Sequence, residues 1–340
     1  MAHSAQPEIS IPSMSPQTQL AALLQAVGVA PLNHTGWIRV TGEDRVRWLN
    51  GMVTNSIQDL HPGEGNYNFL LNVQGRIQGD ATIFAEPDAL LIETAAPQVP
   101  ILMALLDRFI IMDDVKLTDI SGTRIGLSVA GPQAASLLTS IGLPAEAVPA
   151  LERQAFPWNS TSVTVVHAYS PLVPRYELWI DKATAAPLLQ ALLDEDAILC
   201  EAQSWEWLRM LEGTPLYSVD IRDRELPQET GQTRALHFSK GCYLGQEIVE
   251  RIRSRGNVHR VFAGLRLNGE LPAVGSKLQA EGKDIGELTS VAAIPLGAEG
   301  VVQLALGYVR REALDRASPL LYPGGIATTV SLPFSSAETT

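Results

Sequence analysis

The strongest constraint on this chain is a change of rhythm near residue 257. Beyond it, short β-rich runs at 261–267, 277–279, 286–293, 304–308 and 328–332 follow one another between Gly and Pro turns. Short strands at such spacing specify a small barrel or sandwich. Upstream, strand-like and helix-like segments alternate, and the pattern restarts after Ser121-Gly122. Each stretch reads as strand, helix and strand with hairpins, which is the build of an α+β unit. The expected organisation is therefore a flexible tail over 1–16, a first α+β unit over 17–121, a second over 122–256, and a C-terminal β-barrel over 257–335.

Hydrophobic residues make up 46% and charged residues 18% of the 340, which excludes a disordered chain. Lys and Arg number 25 against 37 Asp and Glu, a net charge of −12. That balance argues against charge-driven nucleic-acid or membrane binding. Two cysteines, Cys200 and Cys242, cannot make a disulfide framework or supply the four thiolates of an iron–sulfur or structural zinc site, so no metal site is assigned. No apolar run approaches the ~18–20 residues of a membrane span. With no Lys or Arg before Arg39, the N-terminus lacks the marks of a signal or transit peptide. A cytoplasmic protein is expected.

Motifs of the common enzyme classes are missing. No H-E-x-x-H pair, P-loop or G-x-S-x-G elbow occurs, and Gly63-Glu64-Gly65 begins a dinucleotide fingerprint that Asn68 leaves incomplete. One stretch, residues 238–251, carries chemistry instead. Ile248, Val249 and Ile252 recur at helical spacing, and Glu247 and Arg251 stand four apart, as in a helical ion pair. Cys242 then lies in a loop just before a helix N-terminus, where free N–H groups and nearby Lys240 favour a thiolate. The alternative is a small buried filler, the common fate of a free cysteine; Cys200, after Ile198-Leu199, is assigned to the core. Residues 240–260 hold five basic side chains and two acidic ones. They read either as an anion site or as a solvated helix face pairing its own glutamates.

Lys240-Gly241-Cys242-Tyr243-x-Gly245-Gln246-Glu247, continued by Val249, Arg251, Arg255-Gly256 and Arg260, resembles the signature of the YgfZ family. Thr41-Gly42-x-Asp44, Gly51-x-Val53-Thr54, Leu71-Asn72-x-x-Gly75-Arg76-Ile77 and Leu226-Pro227-Gln228 agree in order. That family comprises folate-binding relatives of the glycine-cleavage aminomethyltransferase, associated with iron–sulfur cluster assembly or repair. The resemblance implies a GcvT-like ring of two α+β (ferredoxin-like) units and a C-terminal β-barrel around a central hole. It implies tetrahydrofolate as cofactor and iron–sulfur proteins or their assembly factors as partners, with tRNA thiomethylation by radical enzymes supported indirectly.

On the same footing Cys242 is the functional thiol. The folate-contacting candidates are Trp205, Trp37, Lys240, Tyr243, Gln246, Glu247, Arg251 and Arg255. Where aminomethyltransferases carry a catalytic aspartate this chain has Gly79, with Asp80 following, and Val173-Pro174 stands where their pterin-binding glutamate is expected. Independent turnover is therefore not expected. Two rivals stand: a folate-dependent aminomethyltransferase or demethylase using Asp80, and direct RNA binding through residues 251–260.

Overall fold

Along the strand Ile77–Ala85, Gly79, Ala81 and Ile83 are buried on one face, while Gln78, Asp80 and Thr82 take the other. The two-residue period of an extended chain makes that division. The structure, a computed structural model, describes residues 14–256, 258–297, 300–316 and 319–334. In it this strand belongs to a five-stranded antiparallel sheet ordered Gly65–Leu71, Ile77–Ala85, Leu90–Ala95, Thr35–Thr41, Lys116–Asp119. The helix Val99–Asp107 covers the first face, setting Val99, Leu102 and Leu106 against Ile38, Val40, Ile83 and Ile92. A Cβ at residue 79 would stand 2.5 Å from Leu102 Cδ2, so glycine is what lets this helix close on the strand.

A second sheet is ordered Ile198–Leu199, Gly28–Pro31, Ile125–Ala130, Arg175–Ile180, Thr161–Ala168, Arg153–Trp158. The helices Ala134–Ser140 and Lys182–Asp194 cover its outer face. Residues 28–31 enter this second sheet although they precede every strand of the first, so the two units interleave rather than dividing cleanly at 121/122. The inner faces of the two sheets meet through Trp37, Phe84 and Leu91 from one and Val166 and Trp179 from the other. Trp179 receives Trp37 and Phe84 edge-on, with centroids at 5.8 and 5.3 Å. Each such buried aromatic is worth roughly 1.5–3 kcal/mol.

The C-terminal strands close a six-stranded barrel, Arg260–Gly269 pairing with both Val301–Arg310 and Gly325–Val330. Leu265, Leu278, Leu288, Ala305 and Val309 fill it. The N-terminal helix Pro16–Gln25, capped by the Ser15 hydroxyl, and the helix Ala202–Glu212 pack together against the barrel wall through Leu20, Leu23, Leu208, Leu211 and Leu304. Of the tail expected over 1–16, residues 1–13 lie outside the described residues.

Between that helix and the barrel, residues 213–256 form a connector of short turns and one helix, Gln246–Arg255. Asp220, fully buried, anchors it. Its carboxylate accepts from Arg209 Nη1 (2.7 Å), Leu216 N (2.9 Å) and the Thr289 and Ser290 hydroxyls of the barrel. No helix among the described residues is long and apolar enough to cross a membrane.

Candidate functional site

The inner face of the first sheet carries the polar centre of the molecule. Asp80 stands opposite Phe69 on that sheet. Its carboxylate accepts from Tyr67 Oη (2.6 Å) and Gln98 Nε2 (2.8 Å), and its backbone N–H donates to Gln98 Oε1 (3.2 Å). Burial raises the Asp80 carboxyl above its ordinary value, against the pull of these two donors. Burial also lifts the Tyr67 phenol, which therefore stays protonated as the donor.

Arg234, from the connector, lies with its guanidinium carbon 4.0 Å from the Tyr67 ring centroid and 3.8 Å from that of Tyr169. Burial lowers its pKa, while the two tyrosines and Asp80 favour the charged form. Nε donates to Gln232 Oε1 at 3.2 Å; among the described residues the terminal nitrogens have no hydrogen-bond partner. Tyr217, bonded to Asp223 at 2.8 Å, also feels the Asp80 charge.

The second sheet and the helix Ala202–Glu212 add carboxyls. Glu212 accepts from the Ser170 hydroxyl, and burial raises its carboxyl. Glu177 accepts from Trp179 Nε1 (3.1 Å) and Arg175 Nη2 (3.4 Å) and hydrogen-bonds Glu93 of the first sheet. Burial and the adjacent carboxyl of Glu177 hold Glu93 well above the usual carboxylate range.

The signature segment packs against the edge of the first sheet. Gly245, the residue before the helix Gln246–Arg255, has φ 81°, and a Cβ there would fall 2.6 Å from Asn72 O. A Cβ at Gly75 (φ 69°) would fall 2.7 Å from Ile248 Cβ, so the hairpin turn makes room for the Ile248 side chain while the Gly245 backbone lies against that of Asn72. Tyr243 is buried with Tyr67, Phe69, Ile77 and Val249. Gln246 Oε1 accepts from Tyr243 N (3.2 Å), which makes Gln246 a cap of its own loop.

Lys240 Nζ donates to the carbonyls of Asn50 (2.7 Å), Val53 (2.7 Å) and Asn55 (2.6 Å). Burial pulls its amine down to about 7, whereas the three acceptors favour the ammonium form. This cation is engaged with the carbonyls of the 50–55 loop. Cys242 itself is exposed, two residues along. Cys200 is buried, and burial pushes its thiol up to about 11.

The other expected site residues scatter. Glu247 and Arg251 are exposed and form no ion pair with each other; Arg253 instead pairs with Glu250 (3.4 Å) and stacks on Phe238 (4.8 Å). A solvated i,i+4 pair is too weak to fix two long side chains. Arg260 is bound to Glu229 and Glu225, and the Arg255 side chain lies outside the described residues. Trp205 sits half-buried where its helix meets the barrel, its Nε1 buried without a partner. Trp37 is buried between the sheets. Lys240, Tyr243 and Gln246 thus share one loop, while the tryptophans belong to two other clusters. Tyr67, Gln98, Tyr169 and Arg234 were missed in the sequence, because they come from four separate segments without a shared motif. Asp80 stood out only as the neighbour of Gly79.

Comparison with known proteins sets this geometry in context. The model of the GCVT N-terminal domain matches residues 14–240. An aminomethyltransferase of Rippkaea orientalis is 27% identical over 311 residues, 86% of this chain and 81% of that one. The tRNA-modifying protein YgfZ of Hamiltonella defensa is 26% identical over 229 residues, covering 66% of each. The crystal structure of aminomethyltransferase T of the glycine cleavage system from Bartonella henselae superposes with a TM-score of 0.84 at 22% identity, covering 94% of this chain and 89% of that one. The fold is therefore GcvT-like: α+β units with a closed six-stranded C-terminal barrel. Because the match spans well over half of its length, the chain belongs to the GCVT N-terminal domain family.

Proposed function

We propose that this protein binds a reduced folate at the Asp80–Arg234 centre and acts in iron–sulfur cluster assembly or repair, with Cys242 as its functional thiol. The observation that carries the folate reading is the convergence of Asp80, Tyr67 and Arg234 with the exposed ring of Tyr169. The donor set fits the group. Buried carboxyls on Asp80 and Glu212 suit the N–H edge of a pterin, tyrosine rings suit its flat faces, and Arg234 suits the carboxylates of a glutamate tail. Bound there, tetrahydrofolate supplies a one-carbon carrier; the protein's part is to orient it and exclude water.

Two features support the role in iron–sulfur metabolism. The eight-residue signature surrounds an exposed thiol, and a YgfZ tRNA-modifying protein is among the relatives. In this reading the partners are iron–sulfur proteins or their assembly factors, reached in the cytoplasm, and tRNA thiomethylation follows indirectly. A specific observation favours the second reading, a folate-dependent aminomethyltransferase or demethylase. Asp80 is a buried carboxyl with a raised pKa, suited to exchange a proton with a folate amine.

Calorimetric titration with tetrahydrofolate tests the shared part. Saturable binding is expected, with Arg234→Met weakening it about tenfold through loss of a charge-assisted contact; no saturable heat sinks the assignment. Turnover with the remaining glycine-cleavage components separates the readings. Robust aminomethyl transfer that Asp80→Asn abolishes puts the transferase first.

A further inference from the structure

We infer that Gln98 is a positioning residue, whose side chain holds the Asp80 carboxyl as a fixed acceptor and so sets the pH range over which the centre takes an N–H ligand. The inference deepens the proposed folate reading and rests on it for the identity of that ligand.

Gln98 immediately precedes the helix Val99–Asp107, a position whose side chain commonly accepts from the first helical turn. Its amide makes no such bond and crosses to the first sheet instead. Oε1 accepts from the Asp80 N–H (3.2 Å), and Nε2 donates to Asp80 Oδ1 (2.8 Å). A primary amide can present either end to a partner. Here the backbone N–H claims the oxygen, so the nitrogen has to face the carboxyl. At 5% exposure the amide has little freedom to turn away. Gly79 makes room for this arrangement, because a Cβ there would fall 2.9 Å from Gln98 Oε1.

The rest of the centre completes the hold. Tyr67 Oη donates to Oδ2 (2.6 Å), so each carboxylate oxygen takes one side-chain donor and keeps acceptor capacity for a ligand. The Thr94 hydroxyl donates to the Asp80 carbonyl (2.8 Å) and fixes the backbone of the same residue. Besides these, the titratable and charged groups that face Asp80 are Arg234 and Tyr217. Gln98 and Tyr67 both favour the carboxylate against the effect of burial. Protonation would occupy an acceptor site that an N–H ligand needs. Ligand affinity is therefore present above the Asp80 midpoint and is lost as pH falls through it.

NMR of the full chain, labelled with carbon-13 at its aspartate carboxyls, reads the Asp80 midpoint directly, with Asp80→Asn for assignment. Gln98→Glu nearly keeps the volume and the acceptor for the Asp80 N–H, and replaces the donor to Oδ1 with a second carboxyl. The Asp80 midpoint should then rise by about one pH unit. Gln98→Met removes the donor outright and should raise the midpoint by a similar amount. Thr94→Val is the structural control: it loosens the same residue without touching the carboxyl, and the midpoint should stay in place. Calorimetry with tetrahydrofolate across the same pH range should show both Gln98 variants losing affinity about one unit earlier on acidification.

Gln98→Glu retains the bond to the Asp80 N–H, so it keeps the test decisive if Gln98→Met fails to fold. An unchanged Asp80 midpoint in Gln98→Glu overturns the proposal, as does an equal rise in Thr94→Val. A tetrahydrofolate profile that does not follow the shifted midpoint also overturns it. Should wild type bind tetrahydrofolate at no pH, the folate reading falls, and the labelled carboxyl alone decides whether Gln98 controls Asp80.

Discussion

The signature loop and the Asp80–Arg234 centre meet at Tyr67 and Tyr243, which share one buried cluster, yet their side chains are put to opposite uses. In the loop the strongest polar contacts are internal. Lys240 closes on three carbonyls, Gln246 caps Tyr243, and Gly245 and Gly75 let the hairpin turn and the helix start close on each other. In the centre, polar groups are buried and still have capacity left: Asp80 keeps free acceptor sites, and the Arg234 terminal nitrogens lack partners among the described residues. A contiguous motif therefore builds the scaffold here, and dispersed residues build the candidate binding surface. Conspicuous sequence and chemical availability are separate properties.

The sharpest way to break this comparison is Lys240→Met. The substitution keeps the apolar stem but leaves the carbonyls of Asn50, Val53 and Asn55 without their shared donor. Unanswered buried acceptors cost about 1–3 kcal/mol each, and partial hydration of a half-buried site reduces the sum to roughly 3 kcal/mol. Urea unfolding of Lys240→Met should show a lowered midpoint of about that size. Folate affinity, measured where the variant is still folded, should stay near wild type. Unchanged stability with lost affinity would move Lys240 from scaffold to site.

The acid side of the molecule offers a second, smaller probe, because the connector that carries Arg234 is tied to the barrel through Glu287. Its carboxylate takes Arg222 (2.7 Å), Arg224 (3.2 Å) and Lys277 (2.8 Å). Against the cost of burial, the hydrogen bonds from Arg222 and Lys277 and the charges of the two hold it down at about 2. Between its unfolded value near 4.5 and about 2, the unfolded chain binds the extra proton. This contribution is present above pH 4.5 and is lost as pH falls towards 2. Allowing for solvent screening, Glu287→Gln should remove on the order of 1–2 kcal/mol at neutral pH. It should also flatten the stability–pH slope between about 4.5 and 2, as followed by circular dichroism.

These contrasts explain what could be read from residues alone. The barrel was legible because its strands are short, turn-bounded and apolar inside, and their spacing survives in the closed sheet. The helix after Gly245 was legible from Ile248, Val249 and Ile252. Residues 28–31 were not, since Gly-Val-Ala-Pro is too short and too turn-like to announce a strand, and only its partners at 125–130 and 198–199 make it one. The Arg234 stack was illegible for a related reason. Tyr67, Tyr169 and Arg234 lie far apart in sequence and meet only through packing of the connector on the first sheet. The Glu247–Arg251 pair was over-read, because helical spacing permits a solvated ion pair without enforcing one.

Cys242 gives the smallest expected change in stability and the clearest separation of scaffold from function. It is exposed, and no hydrogen bond or ion pair holds its sulfur among the described residues. Cys242→Ser keeps nearly the same volume while removing the nucleophile and soft metal ligand, so unfolding should shift by less than about 0.5 kcal/mol. Tetrahydrofolate affinity should also hold, because Arg234 and Asp80 are untouched. If the thiol serves iron–sulfur proteins, a deletion strain carrying Cys242→Ser at matched expression should fail to recover iron–sulfur enzyme activity under oxidative stress. Cys200→Ser is the control with the opposite pattern. The Cys200 thiol donates to the carbonyls of Ile198 (3.3 Å) and Gln19 (3.7 Å) within an apolar cluster, so the smaller serine hydroxyl keeps acceptors but loses packing; it should lower stability by about 1 kcal/mol and still rescue wherever it folds. Full rescue by Cys242→Ser would make the exposed cysteine incidental, and the signature would then be a device for closing a loop on the edge of a sheet.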